Sequence, residues 1–293
     1  MAKNDVAPGQ AESWTGKSPL SDLLRVRPDF DLSAADPAAS PGFKGGKKRG
    51  ERALAAGSEQ LSGLQERLTA AAKGGSNRSV LLVVQGMDTG GKGGIVRHVV
   101  GACDPEGVRV TGFKVPTPEE RRHDFLWRIR NALPPAGKIG VFDRSHYEDV
   151  LVVRVHELVP RAVWGRRYST INRFEAKLAD SGTAIVKVML NISADEQQKR
   201  LMARLDRPDK WWKYNPGDVD ERALWPDYQE AYQAALTKCS TDAAPWFVVP
   251  ADHKWYARWA VQQLLLEALE QVDPQWPPAS FDVKAEKKRL AKA

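Results

Sequence analysis

Residues 86–94 read GMDTGGKGG and hold the strongest chemistry in the chain. They fit G-x-x-x-x-G-K, a loop whose glycines let backbone N–H groups turn inward onto phosphate oxygens. Lys92 adds a point charge, and a helix starting there adds its positive N-terminal end. Gly86, Gly91, Gly93, Gly94 and Lys92 are therefore candidate phosphate-binding residues. The flanks agree, with the apolar run SVLLVVQ (79–85) before the loop and a helix-like pattern after it. A dinucleotide-binding fingerprint fits less well, because it places no lysine at the helix start. Two departures are informative. Gly93 stands where such loops usually carry a hydroxyl for magnesium, and Asp88 puts a carboxylate inside the loop. Hard cations prefer carboxylate oxygens, so Asp88 is a candidate metal ligand. A second acid is expected from the end of another strand.

IGVFDRSHYEDV (139–150) supplies it. Asp143 closes an apolar run, at the carboxyl end of a strand, where open α/β sheets place ligands. This is the Walker-B position, where an acid reaches the metal directly or through water. The plainer alternative is an aspartate that caps the next helix. Arg144 follows, and its planar fork suits a phosphate oxygen. His146 reads as a local structural residue, because phosphoryl transfer relies mainly on positioning and charge. Further along, Arg200 and Arg204 are spaced i, i+4, so both face one way on a helix. Lys210 and Lys213 follow closely. Together they suggest a cationic cover over a polyanion, with a solvated basic face as the alternative.

Positioning these groups requires a scaffold, and the hydrophobic pattern describes one. Strands are expected at 79–85, 108–114, 138–143, 183–193 and 245–252. Helices are expected at 51–73, 118–133, 161–182, 193–205 and 255–272. Strands alternating with helices imply right-handed crossovers and a parallel sheet covered on both faces. Residues 1–50, rich in Pro, Gly, Ala and Ser, are expected to be a flexible extension. A phosphotransferase domain would span 51–275 with a lid at about 197–222, and 276–293 would form a basic tail. Trp211, Trp212 and Trp225 lie near the lid and read as packing it against the core, with base stacking as the alternative. Asp252 and Lys254 follow the last strand, as base contacts or as a helix cap.

Composition narrows the partners. The chain has 293 residues, 42% hydrophobic, with a formal net charge of +7. An anionic partner is expected: nucleotide, polyphosphate, nucleic acid or a membrane surface, unless the charge is only a basic tail. Cys103 and Cys239 match no metal or redox spacing, and a reducing cytoplasm fits. The start carries no apolar signal core, and no apolar run approaches the ~20 residues that span a bilayer.

GMDTGGKGG, then FDRSHYED, then QQKRLMARLDRPDKWWKYNPGD (197–218) resemble the family-2 polyphosphate kinases. Flanking pieces such as FKVPTPEE, INRFEAKL and APWFVVPADHKWYAR agree, and the resemblance spans roughly residues 60–272. It implies a three-layer α/β sandwich of the P-loop nucleotide-kinase type, with a five-stranded parallel sheet and a helical lid. It also implies Mg2+-dependent transfer of phosphoryl groups between inorganic polyphosphate and adenine or guanine nucleotides. In that family Asp88 and Asp143 would act on magnesium and phosphate, and Lys92 would hold phosphates. Arg144 would bind the transferring group, Lys114 would face nucleotide or polyphosphate, and Arg200, Arg204, Lys210 and Lys213 would belong to the lid. The helix with Asp124, Trp127 and Arg128 would border the nucleotide. Glu148 resembles the third subclass, whose members accept nucleoside monophosphates as well as diphosphates. A homo-oligomer, dimer or tetramer, is also implied. An ATP-dependent nucleotide kinase is the rival within the class. A non-catalytic polyanion- or nucleic-acid-binding protein is the rival outside it, although no RNP motif or zinc spacing supports nucleic acid.

Overall fold

The computed structural model describes residues 19–293. Five strands form one sheet: β1 (Ser79–Gly86), β2 (Val108–Gly112), β3 (Ile139–Asp143), β4 (Thr183–Asn191) and β5 (Trp246–Pro250), in the order β2-β3-β1-β4-β5. Every pairing is parallel. The helices among the described residues are α1 (Leu20–Leu24), α2 (Lys47–Lys73), α3 (Lys92–His98), α4 (Trp127–Ala132), α5 (Val152–Val155), α6 (Arg161–Asp180), α7 (Ala194–Leu205), α8 (Gly217–Ala223), α9 (Trp225–Cys239), α10 (Lys254–Val272) and α11 (Val283–Leu290).

β1 is buried along its whole length, because both faces of the sheet are covered. The alternation of a strand divides its side chains between two cores. Val80, Leu82 and Val84 join Leu61 and Leu64 of α2, Ile95 of α3 and Trp259 of α10. Leu81 and Val83 join Ile129 of α4, Ile171 of α6 and Tyr232 of α9. The result is a three-layer α/β sandwich with a five-stranded parallel sheet. Because β1 lies at the centre and the chain leaves it to either side, the crevice at its carboxyl end is the natural ligand position. The register sets Val84 opposite Asp143 and Gly86 opposite Leu190 there.

Several expectations require correction. Of the stretch expected to be a flexible extension, residues 1–18 lie outside the described residues, and the rest is packed. Leu20, Leu24 and Phe43 enter the first core, and Val26 and Leu32 the second. The Val26 amide donates to Trp246 O at 2.8 Å, and Arg25 bridges Phe247, so this segment covers the open edge at β5. A few spaced apolar side chains outweigh the Pro- and Gly-rich composition. The helix expected from 51 starts at Lys47.

The helix expected at 118–133 is broken. Thr117 and Glu120 bond each other's amides and close a short 3-10 turn at Glu120–Arg122. Asp124 then takes the Leu126 amide, and helix resumes only at Trp127. α9 was not anticipated. Its alanines and tyrosines blur the apolar stripe, although Pro226 marks its first turn. The basic tail carries the exposed helix α11.

Candidate functional site

A groove of about 620 Å3 opens at the carboxyl ends of β1 and β3. Its floor is the glycine-rich loop between β1 and α3. Gly86 begins it at φ 152°, where a Cβ would lie 2.8 Å from Leu190 O. Gly91 caps α3 in the left-handed region at φ 112°. These two positions need glycine for conformation and close approach. Thr89 and Arg144 are also left-handed, at φ 62° and 63°. Both are non-glycine residues, and both line the groove.

The structure gathers most of the anticipated residues in this groove. Asp88, Gly91, Lys92, Gly93, Gly94, Lys114, Asp143, Arg144, Arg200, Arg204, Lys210 and Lys213 all line it. Lys92 Nζ donates to Gly86 O at 2.7 Å and to Met87 O at 3.2 Å. Burial lowers its pKa, while Asp88 acts in the opposite sense. Arg144 donates from a terminal nitrogen to Asp88 Oδ1 at 2.9 Å, joining the end of β3 to the loop. Lys114 is set by Arg128, which is 8% exposed, lies over the Phe113 ring and donates to Lys114 O at 2.8 Å.

Some anticipated residues stand elsewhere or do other work. Glu148 does not line the groove. It is partly buried, its charge bears on Arg144, and it accepts from Gln85 Nε2 at 3.1 Å. Burial raises its pKa, against the pull of Arg144 and Lys92. Arg200 reaches the groove, but its guanidinium is committed to protein. It donates to Glu196 Oε1 at 2.8 Å, Thr89 O at 2.9 Å, Ala251 O at 2.6 Å and Asp252 O at 2.9 Å. Arg204 donates to Lys213 O at 3.0 Å and lies 3.4 Å from Asp218 Oδ2. Asp252 accepts from the Ser193 amide and hydroxyl, both at 2.8 Å, so it braces the start of α7, whereas Lys254 lines the groove.

The tryptophans of the cover contradict their expected packing. Trp211 and Trp212 are 58% and 78% exposed. Their indole N–H groups return to the cover's own backbone, at Leu205 O and Asp209 O. Trp225 alone packs against the second core.

Sequence reasoning missed Arg97 and His98 of α3, Arg207, and Arg258 of α10, all of which line the groove. Lys254 and Arg258 are spaced i, i+4 in HKWYAR, a signal that would have found Arg258. It also missed the support beneath FDRSHYED. His146, Tyr147, Glu175 and Lys187 are at most 1% exposed. Glu175 accepts from Lys187 Nζ at 2.5 Å and from the Tyr147 hydroxyl at 2.9 Å, and it lies 3.1 Å from His146 Nε2. Lys187 also donates to Cys239 O at 2.7 Å. This buried ionic cluster fixes the 3-10 turn at His146–Asp149, which follows Arg144 directly. It gives His146 the structural surroundings expected of it.

In total, eleven lysines and arginines line the groove against two aspartates. Such a surface is suited to a polyanion, with the carboxylates placed where a cation would offset phosphate charge. Comparison with known proteins points the same way. The family model "Polyphosphate kinase 2 (PPK2)" matches residues 44–277. The chain is 49% identical over 255 residues to an AMP/ADP-polyphosphate phosphotransferase of Meiothermus ruber, covering 86% of this chain and 94% of the relative. It is 45% identical over 232 residues to an ADP-polyphosphate phosphotransferase of Rhodopseudomonas palustris, covering 75% and 78%. The crystal structure of polyphosphate kinase 2 from Arthrobacter aurescens superposes with a TM-score of 0.94 at 54% identity, covering 96% of this chain and 99% of that one. Fold, groove and sequence agree that the chain belongs to the polyphosphate kinase 2 family.

Proposed function

We propose that this groove transfers phosphoryl groups from inorganic polyphosphate to nucleotides, converting AMP to ADP and ADP to ATP, reversibly. The observation that carries the reading is the single groove in which eleven cationic side chains surround Asp88 and Asp143 at the ends of adjacent strands. Both substrates are polyanions, and both would lie along it. Adenine and guanine nucleotides are the proposed acceptors.

An oxygen of the acceptor's terminal phosphate attacks the terminal phosphorus of the polyphosphate chain. The bridging P–O bond breaks, and the shortened chain keeps the electron pair as a phosphate oxygen. No covalent enzyme intermediate is needed. Lys92 and the loop glycines hold phosphate at the N-terminus of α3, and Arg144 binds the group in transfer. Lys114, Arg204, Lys210 and Lys213 neutralise the flanking phosphates. Glu148, which does not line the groove but whose charge bears on Arg144, acts through the arginine.

The residues fit a magnesium ion. Asp88 and Asp143 are the two acids that line the groove, and no group of three or more potential ligands occurs among the described residues. Magnesium keeps several waters and takes substrate phosphate oxygens, so one or two carboxylates suffice. Bound there, it would neutralise charge between donor and acceptor. A cytoplasmic location and a homo-oligomer, dimer or tetramer, belong to the same proposal. The two cysteines are free and buried, which suits a reducing compartment. No helix among the described residues is long and apolar enough to cross a membrane.

A donor panel tests the reading. Polyphosphate should yield ADP and ATP from AMP. Product with ATP as donor and none with polyphosphate would instead make this an ordinary nucleotide kinase.

A further inference from the structure

The carbonyls of Asp88 and Thr89 both point out of the glycine-rich loop to side chains of α7. Gln197 Nε2 donates to Asp88 O at 3.0 Å, and Arg200 donates to Thr89 O at 2.9 Å. Gln197 and Arg200 are three residues apart and share one helix face. Both are nearly inaccessible, at 2% and 7% exposure. The other end of the Gln197 amide is also occupied. Its Oε1 accepts from Arg222 of α8 at 2.8 Å, and the same arginine nitrogen donates to Ala194 O at 2.9 Å. An amide with a carbonyl at one end and a guanidinium at the other has one orientation that satisfies both.

Two features make this bond more than packing. Thr89 holds a left-handed backbone, a strained conformation for a non-glycine residue, so the loop needs an external hold. Moreover, a carbonyl drawn toward α7 is kept away from phosphate oxygens, which it would repel. The same bond fixes the backbone of Asp88, whose carboxylate meets Arg144.

We propose that Gln197 is a positioning residue for phosphoryl transfer, gripping the Asp88 carbonyl on one side and Arg222 on the other. It thereby couples the seating of the cover, α7 and α8, to the geometry of the loop. This rests on the reading of the groove as the transfer site. Gln197 touches neither substrate; it acts through Asp88. A misplacement of about 1 Å at a reacting centre can cost about a hundredfold in rate.

The test is Gln197→Glu, which keeps the shape and strengthens the bond to Arg222 but removes the donor to Asp88 O. The expected result is a kcat lowered about 30- to 100-fold, a KM for polyphosphate within about threefold, and a fall in Tm too small to account for the lost turnover. If the glutamate variant does not fold, Gln197→Met removes the donor to Asp88 O and the acceptor of Arg222 together, and the same loss of kcat at a near-parental KM is expected. A kcat within threefold of the parent, or one that falls only in step with Tm, overturns the proposal. Asp88→Asn in the same assay separates the two levels. If it is inactive while the Gln197 variant is normal, only this inference fails. If it is fully active, the groove reading fails with it.

Discussion

Arg144 reaches back from the end of β3 and meets the Asp88 carboxylate at 2.9 Å, so the residue that follows Asp143 ties the end of β3 to the loop after the neighbouring strand β1. The contact is half-exposed and serves as a poised arrangement more than a source of stability. Arg144→Lys keeps the charge and loses the fork. Turnover should fall about a hundredfold with little change in Tm, because a lysine cannot hold Asp88 and phosphate together in that geometry. Steady-state kinetics beside a thermal melt would check this, and a lysine variant with normal turnover would contradict it.

Gly93 is exposed, and a Cβ there meets nothing within 4 Å. Its position inside α3 means that alanine should be tolerated, with Tm unchanged or raised by up to about 3 °C. Turnover should nevertheless drop about tenfold, since the methyl group enters the space where phosphate approaches the loop. Stability and activity would thus move in opposite directions in one variant.

Lys187→Met would strand Glu175 as a buried charge at a cost of about 3–5 kcal/mol, readable in denaturant unfolding. The pH dependence follows from Glu175. Burial opposes its charge, but Lys187 and His146 outweigh burial and hold its pKa below the ordinary 4.5. A lowered native pKa gives stability that is complete above the unfolded value and lost as pH falls through the native one. The parent should therefore lose stability more steeply below about pH 4.5 than Glu175→Gln, which has no such proton to take up. Parallel acid limbs for the two proteins would contradict this.

Glu148 bears on Arg144 through its charge, and its carboxylate is bonded to Gln85. The proposed acceptance of monophosphates as well as diphosphates, with Glu148 supporting the shorter acceptor, predicts that Glu148→Asn lowers kcat/KM for AMP about tenfold relative to ADP. Competing both acceptors in one reaction gives the ratio directly. An unchanged ratio would remove Glu148 from acceptor choice.

The sheet and the loop were legible because their signals are local. SVLLVVQ followed by GMDTGGKGG names a buried strand, a phosphate-type turn and a helix start within a few residues. Asp143 was legible for the same reason, at the end of a short apolar run. Arg200 was placed correctly but given the wrong partners, because spacing tells which way a side chain faces and not whether a carbonyl already holds it. The Glu175–Lys187 pair joins α6 to β4, and each residue reads alone as an ordinary surface charge. Residues 19–46 were misread because composition averages over Leu20, Leu24 and Phe43, the few side chains that anchor the segment.

The role proposed for Asp88 and Arg144 is to organise transfer from polyphosphate to nucleotide. It is tested most directly by ATP formation from long-chain polyphosphate with magnesium and either AMP or ADP, for the parent and for Asp88→Asn. ATP should form from both acceptors with the parent, with a loss of about a thousandfold in the variant. An Asp88→Asn protein that makes ATP at the parental rate would contradict it.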